Sequence, residues 1–409
     1  MPVDRLNEVL RQRLVEVDAR GTRKRVEAVV TAVLPAAGGR GPRYLLAGHG
    51  DKPFVRMSSN GYLGLAMHAA VMAAEEQAVR SFGAGPAAVR FISGTYEPHV
   101  QLEHSLAEFH GREAAMIFGS AYAAMIGVLP ALVSADTVIV SDSLNHNCII
   151  NAARLAQPKG KEVYPHLDLA ELDRVLGSLT DDIRRVLVVT DGVFSMRGDH
   201  APLDALVALL AAHDHRFAEN TVLIVDDSHG VGAFGPRGRG TEEVTGGQAD
   251  VLVATLGKAL GVNGGYVVGS QTLIDHLRET APTYIYSNPI TPAEAAAARA
   301  ALELLVSDAG AALLARLRAN TTRFRDGITR LGYETIPGVH PVVPVLIRDT
   351  TQTHELVAHL LAHGVLATGL SYPVVPRGDD EIRFQLSADQ TAADIDEVLE
   401  ALSSFRTTI

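Results

Sequence analysis

The most constraining feature of the sequence is an alternation, in its middle part, of short β-branched runs with longer segments rich in Ala and Leu. The strand-like runs fall at 136–140, 185–190, 221–225, 251–255 and 266–268. Segments long enough for helices, such as 201–213, separate them. Strands joined by helical crossovers form parallel sheets that are buried on both faces. We therefore expect an α/β fold with a mostly parallel central sheet.

The chain divides into three zones by pattern. Residues 1–57 form an N-terminal lead-in segment, 58–292 a large domain, and 293–409 a smaller α+β C-terminal domain. In the lead-in, Asp4 is expected to cap a helix that runs past Leu10 and Leu14. The last zone is predicted to contain helices at 292–307 and 392–402 and strands at 342–347 and 382–386.

Composition excludes several classes of protein. An apolar content of 47% without low-complexity tracts argues against disorder, collagen and coiled coil. A single Cys excludes a disulfide scaffold and fits a reducing compartment. The net charge of −11 argues against nucleic-acid binding. With no signal-peptide pattern and no apolar stretch of about 18 residues, we expect a cytoplasmic protein without a membrane span.

Polar clusters follow four of the predicted strands directly. They are Ser141-Asp142, Thr190-Asp191-Gly192, the run 226–229 (Asp-Asp-Ser-His) and the run 255–258 (Thr-Leu-Gly-Lys). In an open parallel sheet, ligands bind beyond the carboxyl ends of the strands. The four clusters therefore predict one site at one edge of the sheet.

Two residues of these clusters indicate a chemistry. Lys258 stands between glycines after a buried strand, where a partly desolvated amine could form a Schiff base. Asp226 ends an apolar run, and pyridoxal phosphate (PLP) enzymes use such a carboxylate to keep the pyridine nitrogen protonated. Each residue also has an ordinary interpretation, Lys258 as a solvated surface residue and Asp226 as a helix cap.

A candidate phosphate cradle follows the apolar segment 114–118. Gly119 and Ser120 precede a helical run, and a helix N-terminus offers free N–H groups and a positive dipole end to an anion. An ordinary capped helix start would give the same pattern. His213-Asp214-His215 looks superficially like a metal site, but a solvated turn is favoured, and no metal is predicted.

Three segments, VVTDGVFSM at 188–196, DDSHGVG at 226–232 and TLGKALG at 255–261, resemble the α-oxoamine synthases. These are PLP enzymes of fold type I, the aspartate-aminotransferase fold. Within the family, segments 89–95, 143–146 and 372–376 are most similar to the glycine C-acetyltransferase branch.

The resemblance implies a role for each matching residue. Lys258 would hold PLP covalently, Asp226 would pair with its ring nitrogen, and His146 would stack on the ring. These three, with His229, are the implied catalytic residues. The remaining cofactor contacts would come from His229 and Ser195 at the phenolic oxygen, and from Ser120, Ala121, Tyr122 and Thr255 at the phosphate.

Further implied contacts involve a second subunit and the substrate. The family forms homodimers with shared active sites, so Ser287 and Asn288 of the partner subunit would complete the phosphate site. Asn60 would contact substrate. Arg383 would bind the carboxylate of the amino acid, which a planar guanidinium grips with two parallel hydrogen bonds.

The implied reaction condenses an amino acid, glycine or another small one, with an acyl thioester of CoA or a carrier protein. It typically proceeds with loss of CO₂ and yields an α-amino ketone. Departures from the family pattern at Gly61, Met125 and Ser371 leave both substrates open. The alternatives are another fold-type-I PLP enzyme, such as an aminotransferase, and a non-catalytic partner subunit. A basic cluster at 20–25 is read as a solvated helix face rather than a CoA site.

Overall fold

The computed structural model describes residues 3–19, 27–372 and 374–406. The basic cluster at 20–25 and Pro373 of the 372–376 motif therefore lie outside the described residues. The strands are β1 Val30–Leu34, β2 Arg43–Leu46, β3 Val55–Arg56, β4 Ala114–Phe118, β5 Thr137–Asp142, β6 Gly160–Tyr164, β7 Arg185–Asp191, β8 Thr221–Asp226, β9 Val251–Thr255, β10 Gly265–Gly269, β11 Glu334–Thr335, β12 Val342–Leu346, β13 Val365–Leu366, β14 Thr368–Leu370 and β15 Glu381–Gln385.

The helices are numbered in the same way along the chain. They are α1 Asp4–Ala19, α2 Ala69–Phe82, α3 Glu97–His110, α4 Ala121–Ala131, α5 Asn147–Ala156, α6 Leu169–Ser178, α7 Leu203–Asp214, α8 Thr241–Thr245, α9 Gln271–Thr280, α10 Pro282–Ile285, α11 Pro292–Leu305, α12 Asp308–Arg330, α13 Thr350–Ala362 and α14 Ala392–Arg406. Among the described residues, we find no helix with both the length and the apolar character needed to cross a bilayer.

The chain folds into two compact units. The larger contains 60–321 and 337–341, and the smaller contains the described residues of 1–59 with 322–336 and 342–409. The zone boundaries after residues 57 and 292 rest on sequence pattern and stay predictions.

The larger unit is built on a seven-stranded sheet in the order β4-β10-β9-β8-β7-β5-β6. Pairs β5–β6, β5–β7, β7–β8 and β8–β9 are parallel, and β10 runs antiparallel to both of its neighbours. The predicted strands and the mostly parallel sheet are confirmed. The register places Asp191 opposite Asp226 at the carboxyl ends of β7 and β8.

Helices cover both faces of this sheet, as continuous apolar strands require. Along β7, Leu187 and Val189 pack into a cluster with α4, α5 and α9, whereas Val186 and Val188 pack into another with α6 and α7. This alternation follows the two-residue period of a strand. The strands are therefore buried on both sides, and polar side chains collect at their ends.

The smaller unit contains a four-stranded antiparallel sheet in the order β11-β12-β15-β14. Its central strands match the two predicted ones, and α14 matches the predicted closing helix. Arg383 lies on β15, paired with Pro344 of β12 and Thr368 of β14.

Candidate active site

A cavity of about 210 Å³ opens at the carboxyl edge of the large sheet. It brings together nine of the residues predicted for the site, which are Ser120, Ala121, Tyr122, His146, Ser195, Asp226, His229, Thr255 and Lys258. It also includes four residues for which no role was predicted, which are Cys148, Asp191, Val193 and Ser228. The four polar strand ends thus form one site.

The other four predicted residues do not line this cavity. Asn60 lies in the larger unit, two residues before Tyr62. Ser287 and Asn288 are exposed in the segment between α10 and α11. Arg383 belongs to the smaller unit. The roles of these four residues stay predictions.

Asp226 presents a buried carboxylate at the end of β8. Its Oδ1 accepts a hydrogen bond from the Ser228 N–H at 3.1 Å, and its Oδ2 accepts one from the Cys148 thiol at 3.3 Å. Buried charges are stable in proteins when they are paired and hydrogen-bonded. Asp226 is therefore suited to pair with a cationic group of a bound ligand.

Asp191, on the neighbouring strand, is a second buried carboxyl group of the cavity. Its Oδ2 accepts the His146 N–H at 3.1 Å. Burial, and then the nearby Asp226 carboxylate, raise the pKa of Asp191 well above its usual range. Because two adjacent buried carboxylates repel each other, we assign the proton of this pair to Asp191.

His146 is the N-cap residue of α5, and its Nδ1 accepts the Cys148 N–H at 3.2 Å. Partial burial of the ring lowers the pKa of His146, the Asp226 carboxylate raises it in part, and the Lys258 ammonium lowers it again. The net direction is downward, so the ring is neutral at neutral pH. A neutral, flat imidazole is suited to stack on an aromatic ligand.

His229 is buried and held on two sides. Its Nδ1 lies 2.7 Å from the Tyr62 hydroxyl, and its carbonyl oxygen lies 3.0 Å from His340 Nε2. Tyr62 is itself fully buried. The Tyr62 contact fixes the His229 ring at the cavity wall, and the His340 contact holds its backbone.

The N-terminus of α4 lines one end of the cavity and is suited to bind an anion. Ser120 caps the helix, its Oγ accepting the Ala123 N–H at 3.0 Å. The first amides of a helix have no partner within the helix and carry partial positive charge. At Gly265, an added Cβ would lie 2.0 Å from the Ala121 nitrogen, so only glycine permits this close approach. Thr255 Oγ1 donates to the Gly264 carbonyl at 3.1 Å and accepts the Gly257 N–H at 3.0 Å.

Lys258 lines the cavity from a tight turn after β9. The Gly261 N–H donates to the Lys258 carbonyl at 3.0 Å, and Gly261 has a φ of +74°. An added Cβ on Gly261 would also come within 2.5 Å of the Ala66 nitrogen. Both the left-handed backbone and the close packing therefore require glycine here.

Comparison with known proteins identifies the family of the chain. The profile of the family described as aminotransferase class I and II matches residues 52–402. An 8-amino-7-oxononanoate synthase of Geobacter sulfurreducens is 38% identical over 381 residues, covering 93% of this chain and 95% of the relative. The chain belongs to the α-oxoamine synthases.

Solved structures agree with this placement. A serine palmitoyltransferase of Sphingomonas wittichii matches with a TM-score of 0.88 and 27% identity, over 99% of this chain and 98% of the other. A serine palmitoyltransferase from S. paucimobilis, which carries bound PLP with myriocin, matches with a TM-score of 0.85 and 25% identity over the same shares. The fold type and the family are thus confirmed, while the finer likeness to glycine C-acetyltransferase stays an expectation.

This α-oxoamine synthase is a PLP-dependent acyltransferase. The cavity fits that cofactor, because it has amides for a phosphate at α4, a carboxylate for the ring nitrogen at Asp226 and an amine at Lys258. Two buried atoms of its wall, Asp191 Oδ1 and Ser228 Oγ, have no hydrogen-bond partner among the described residues. Such atoms favour a polar ligand.

Asp191, Ser228 and Cys148 are the functional candidates that the motif reasoning left without a role. The sequence contains a signal for Asp191, because this residue ends the strand next to the one that ends in Asp226. Burial, together with the nearby Asp226 carboxylate, raises the pKa of the Cys148 thiol. Cys148 therefore stays protonated and acts as a hydrogen-bond donor, which no spacing in the sequence indicates.

The anion cradle gives the first prediction. Gly265→Ala forces β10 away from the Ala121 amide and should raise the dissociation constant of PLP about tenfold or more, as expected when a hydrogen bond to a charged group is lost. Titration of the apoenzyme with PLP measures this constant. Gly177→Ala in α6 is the matched control, since its Cβ would meet His213 Cε1 at 4.0 Å, and it should bind PLP like the wild type. Unchanged PLP binding by Gly265→Ala would contradict the cradle.

Proposed function

We propose that the chain condenses a small α-amino acid, glycine or alanine, with an acyl thioester of CoA or a carrier protein. Carbon dioxide is lost, the thiol is released, and the product is an α-amino ketone. The observation that supports this most is the convergence of Lys258, Asp226, His146 and the α4 amides on one cavity in a chain of this family.

Each residue has a definite task in this proposal. When bound, PLP withdraws electrons from the α-carbon of the amino acid and so makes its proton acidic. Asp226 keeps the ring nitrogen cationic, which maintains this withdrawal. Lys258 would hold the cofactor, and its amine would take the α-proton of the bound amino acid. His146 covers one ring face and His229 orients the cofactor from the wall.

The preference for a small amino acid has support in the product names of the relatives. In 8-amino-7-oxononanoate, the carbon that bears the amine also bears a terminal methyl group. In a decarboxylative condensation, alanine supplies the amine-bearing carbon and the methyl carbon of this product. The acyl thioester supplies the remaining seven carbons. Because of the departures from the family pattern at Gly61, Met125 and Ser371, the acyl chain length is left to experiment.

A homodimer with shared sites is part of the proposal. Tyr286, beside Ser287 and Asn288, is 81% exposed, and Phe91 and Ile92 are 66% and 65% exposed. Exposed large apolar side chains of this kind mark protein interfaces when they are contiguous. Ser287 and Asn288 do not line the cavity of their own chain, which fits a contribution to the site of the partner subunit.

The amino-acid specificity can be tested without knowing the acyl donor. The holoenzyme should exchange the α-proton of alanine or glycine with D₂O, at least about tenfold faster than that of serine. Proton NMR of the amino acid follows the exchange, and Lys258→Ala supplies the background. Acyl-CoAs of increasing length are then added, and thiol release reports the condensation.

Two results would contradict the proposal. Faster exchange with serine or a larger amino acid would overturn the substrate assignment. Transfer of the amino group to a 2-oxo acid, without thiol release from any thioester, would favour an aminotransferase instead.

The shared site predicts complementation between two inactive variants. Lys258→Ala and Asn288→Asp should each be nearly inactive, the second because a carboxylate there would repel the phosphate of the partner's site. After subunit exchange in an equal mixture, half of the dimers are mixed and each has one intact site. Activity should recover to about a quarter of the wild-type value.

The control for this experiment is a mixture of Lys258→Ala with Asp226→Ala. Both changes affect residues that a chain supplies to its own cavity, so no intact site can form and activity should stay low. Equal, negligible recovery in the two mixtures would contradict the shared site.

A further inference from the structure

His166 lies outside the cavity but joins two of the segments that form it. It follows β6, and its ring contacts one carboxylate on each side. Nδ1 lies 3.0 Å from Asp142 Oδ1, and Nε2 lies 3.2 Å from Asp199 Oδ2. The side chain is 16% exposed, and its ring meets the Phe194 ring edge to face at 4.3 Å.

The first of these carboxylates supports the turn that ends at His146. Asp142 Oδ1 also accepts the Leu144 N–H at 2.8 Å, and Asp142 Oδ2 accepts the Leu167 N–H at 2.9 Å. Leu167 has a φ of +58°, a conformation that costs an apolar L-residue energy. This strained residue follows His166 directly, so the chain maintains an unfavourable backbone conformation where the imidazole meets Asp142.

The second carboxylate supports the turn that carries Ser195. The Asp199 carbonyl accepts the Phe194 N–H at 3.0 Å, and Asp199 Oδ2 accepts Arg197 Nε at 2.7 Å. Asp199 Oδ1 is buried and has no partner among the described residues. Phe194 and Asp199 therefore flank Ser195 in a turn whose carboxylate faces His166.

The two contacts determine the protonation state of the ring. A neutral imidazole donates from only one nitrogen, whereas both nitrogens of His166 face carboxylate oxygens. The imidazolium form donates to both. It also neutralises two carboxylates that would otherwise repel each other across the ring.

We infer that His166 is a positioning residue of the cofactor site, a doubly hydrogen-bonded imidazolium that holds the turn before His146 against the turn that bears Ser195. The inference rests on the PLP site of the proposed function. The role of His166 is to keep the two turns at the spacing that the cofactor ring requires.

Charged and titratable groups from the elements packed around His166 influence its protonation. They are Asp142 from β5, Tyr164 from β6, and Arg197, Asp199 and His200 from the turn after β7. Burial alone would lower the pKa of His166, but the hydrogen bonds to Asp142 and Asp199 outweigh it and raise that pKa to about 9. The same contact, with Arg197, lowers the pKa of Asp199 against the opposing effect of burial.

The direction of the pH effect follows from these shifts. The pKa of His166 in the folded protein lies above its ordinary value of about 6.5. The charge of His166 therefore stabilises the folded protein fully below about pH 6.5, and this stabilisation is lost as the pH rises through about 9.

The test compares PLP affinity in wild type, His166→Gln, His166→Phe and a matched control, His213→Gln. His213 also pairs with an aspartate, Asp173 at 2.7 Å, and its side chain is also 16% exposed, but it lies at the far end of α7. Apoenzymes are titrated with PLP from pH 6.5 to 10.5. At pH 7, both His166 variants should bind PLP about tenfold more weakly, as expected for the loss of a charged hydrogen bond, and His213→Gln should match wild type within about twofold.

The decisive quantity is the ratio of the His166→Gln dissociation constant to that of wild type. It should fall toward one as the pH passes about 9, because wild-type His166 then loses its own proton. A ratio that stays constant with pH, or wild-type affinity in His166→Phe, would reduce His166 to a packing residue and overturn the inference.

A second variant covers the case in which His166→Gln does not fold. Asp199→Asn removes one of the two carboxylates, so the pH at which PLP affinity weakens should move from about 9 toward about 6.5. An unmoved midpoint would overturn the inference. If wild type bound no PLP at any pH, both this inference and the proposed function would fail. If PLP bound but its affinity did not respond to these variants, only this inference would fail.

Discussion

The parallel pairing of β7, β8 and β9 is the constraint on which the active site depends. It sets Asp191 opposite Asp226 and turns both carboxyl ends toward the same edge. Since helical crossovers return each chain segment to the opposite edge, the loops after the strands must gather in one place. The α4 amides, the turn before His146 and the turn that carries Lys258 reach the same cavity for this reason.

Electrostatics then determines what this cavity can hold. Two buried carboxyl groups, Asp191 and Asp226, stand side by side, and burial with the nearby Asp226 carboxylate raises the pKa of Asp191. A cationic ring nitrogen would compensate the Asp226 carboxylate, while the helix N-terminus at α4 would compensate a phosphate. Outside the cavity, His166 compensates negative charge in the same way, since its proposed positive charge joins the two turns that carry Asp142 and Asp199.

Much of this arrangement could be predicted from the sequence, because β-branched runs that end in polar residues determine both the sheet and its functional edge. Asp226 and Lys258 were identifiable in this way. The support around them was not. Strand β6 has an exposed, polar sequence with little apolar pattern, so neither it nor His166 stood out. The donor role of Cys148 and the protonation of Asp191 depend on packing distances, which spacing along the chain does not encode.

The roles proposed for this edge of the sheet all require that Lys258 holds PLP. Borohydride treatment of the holoenzyme fixes the cofactor to the lysine that holds it, and peptide mass mapping then identifies the residue. We expect the label on Lys258, and we expect it to disappear when phosphate competes at the α4 cradle during loading. A label on another lysine, such as Lys52 or Lys159, or no stable label at all, would contradict the role of Lys258.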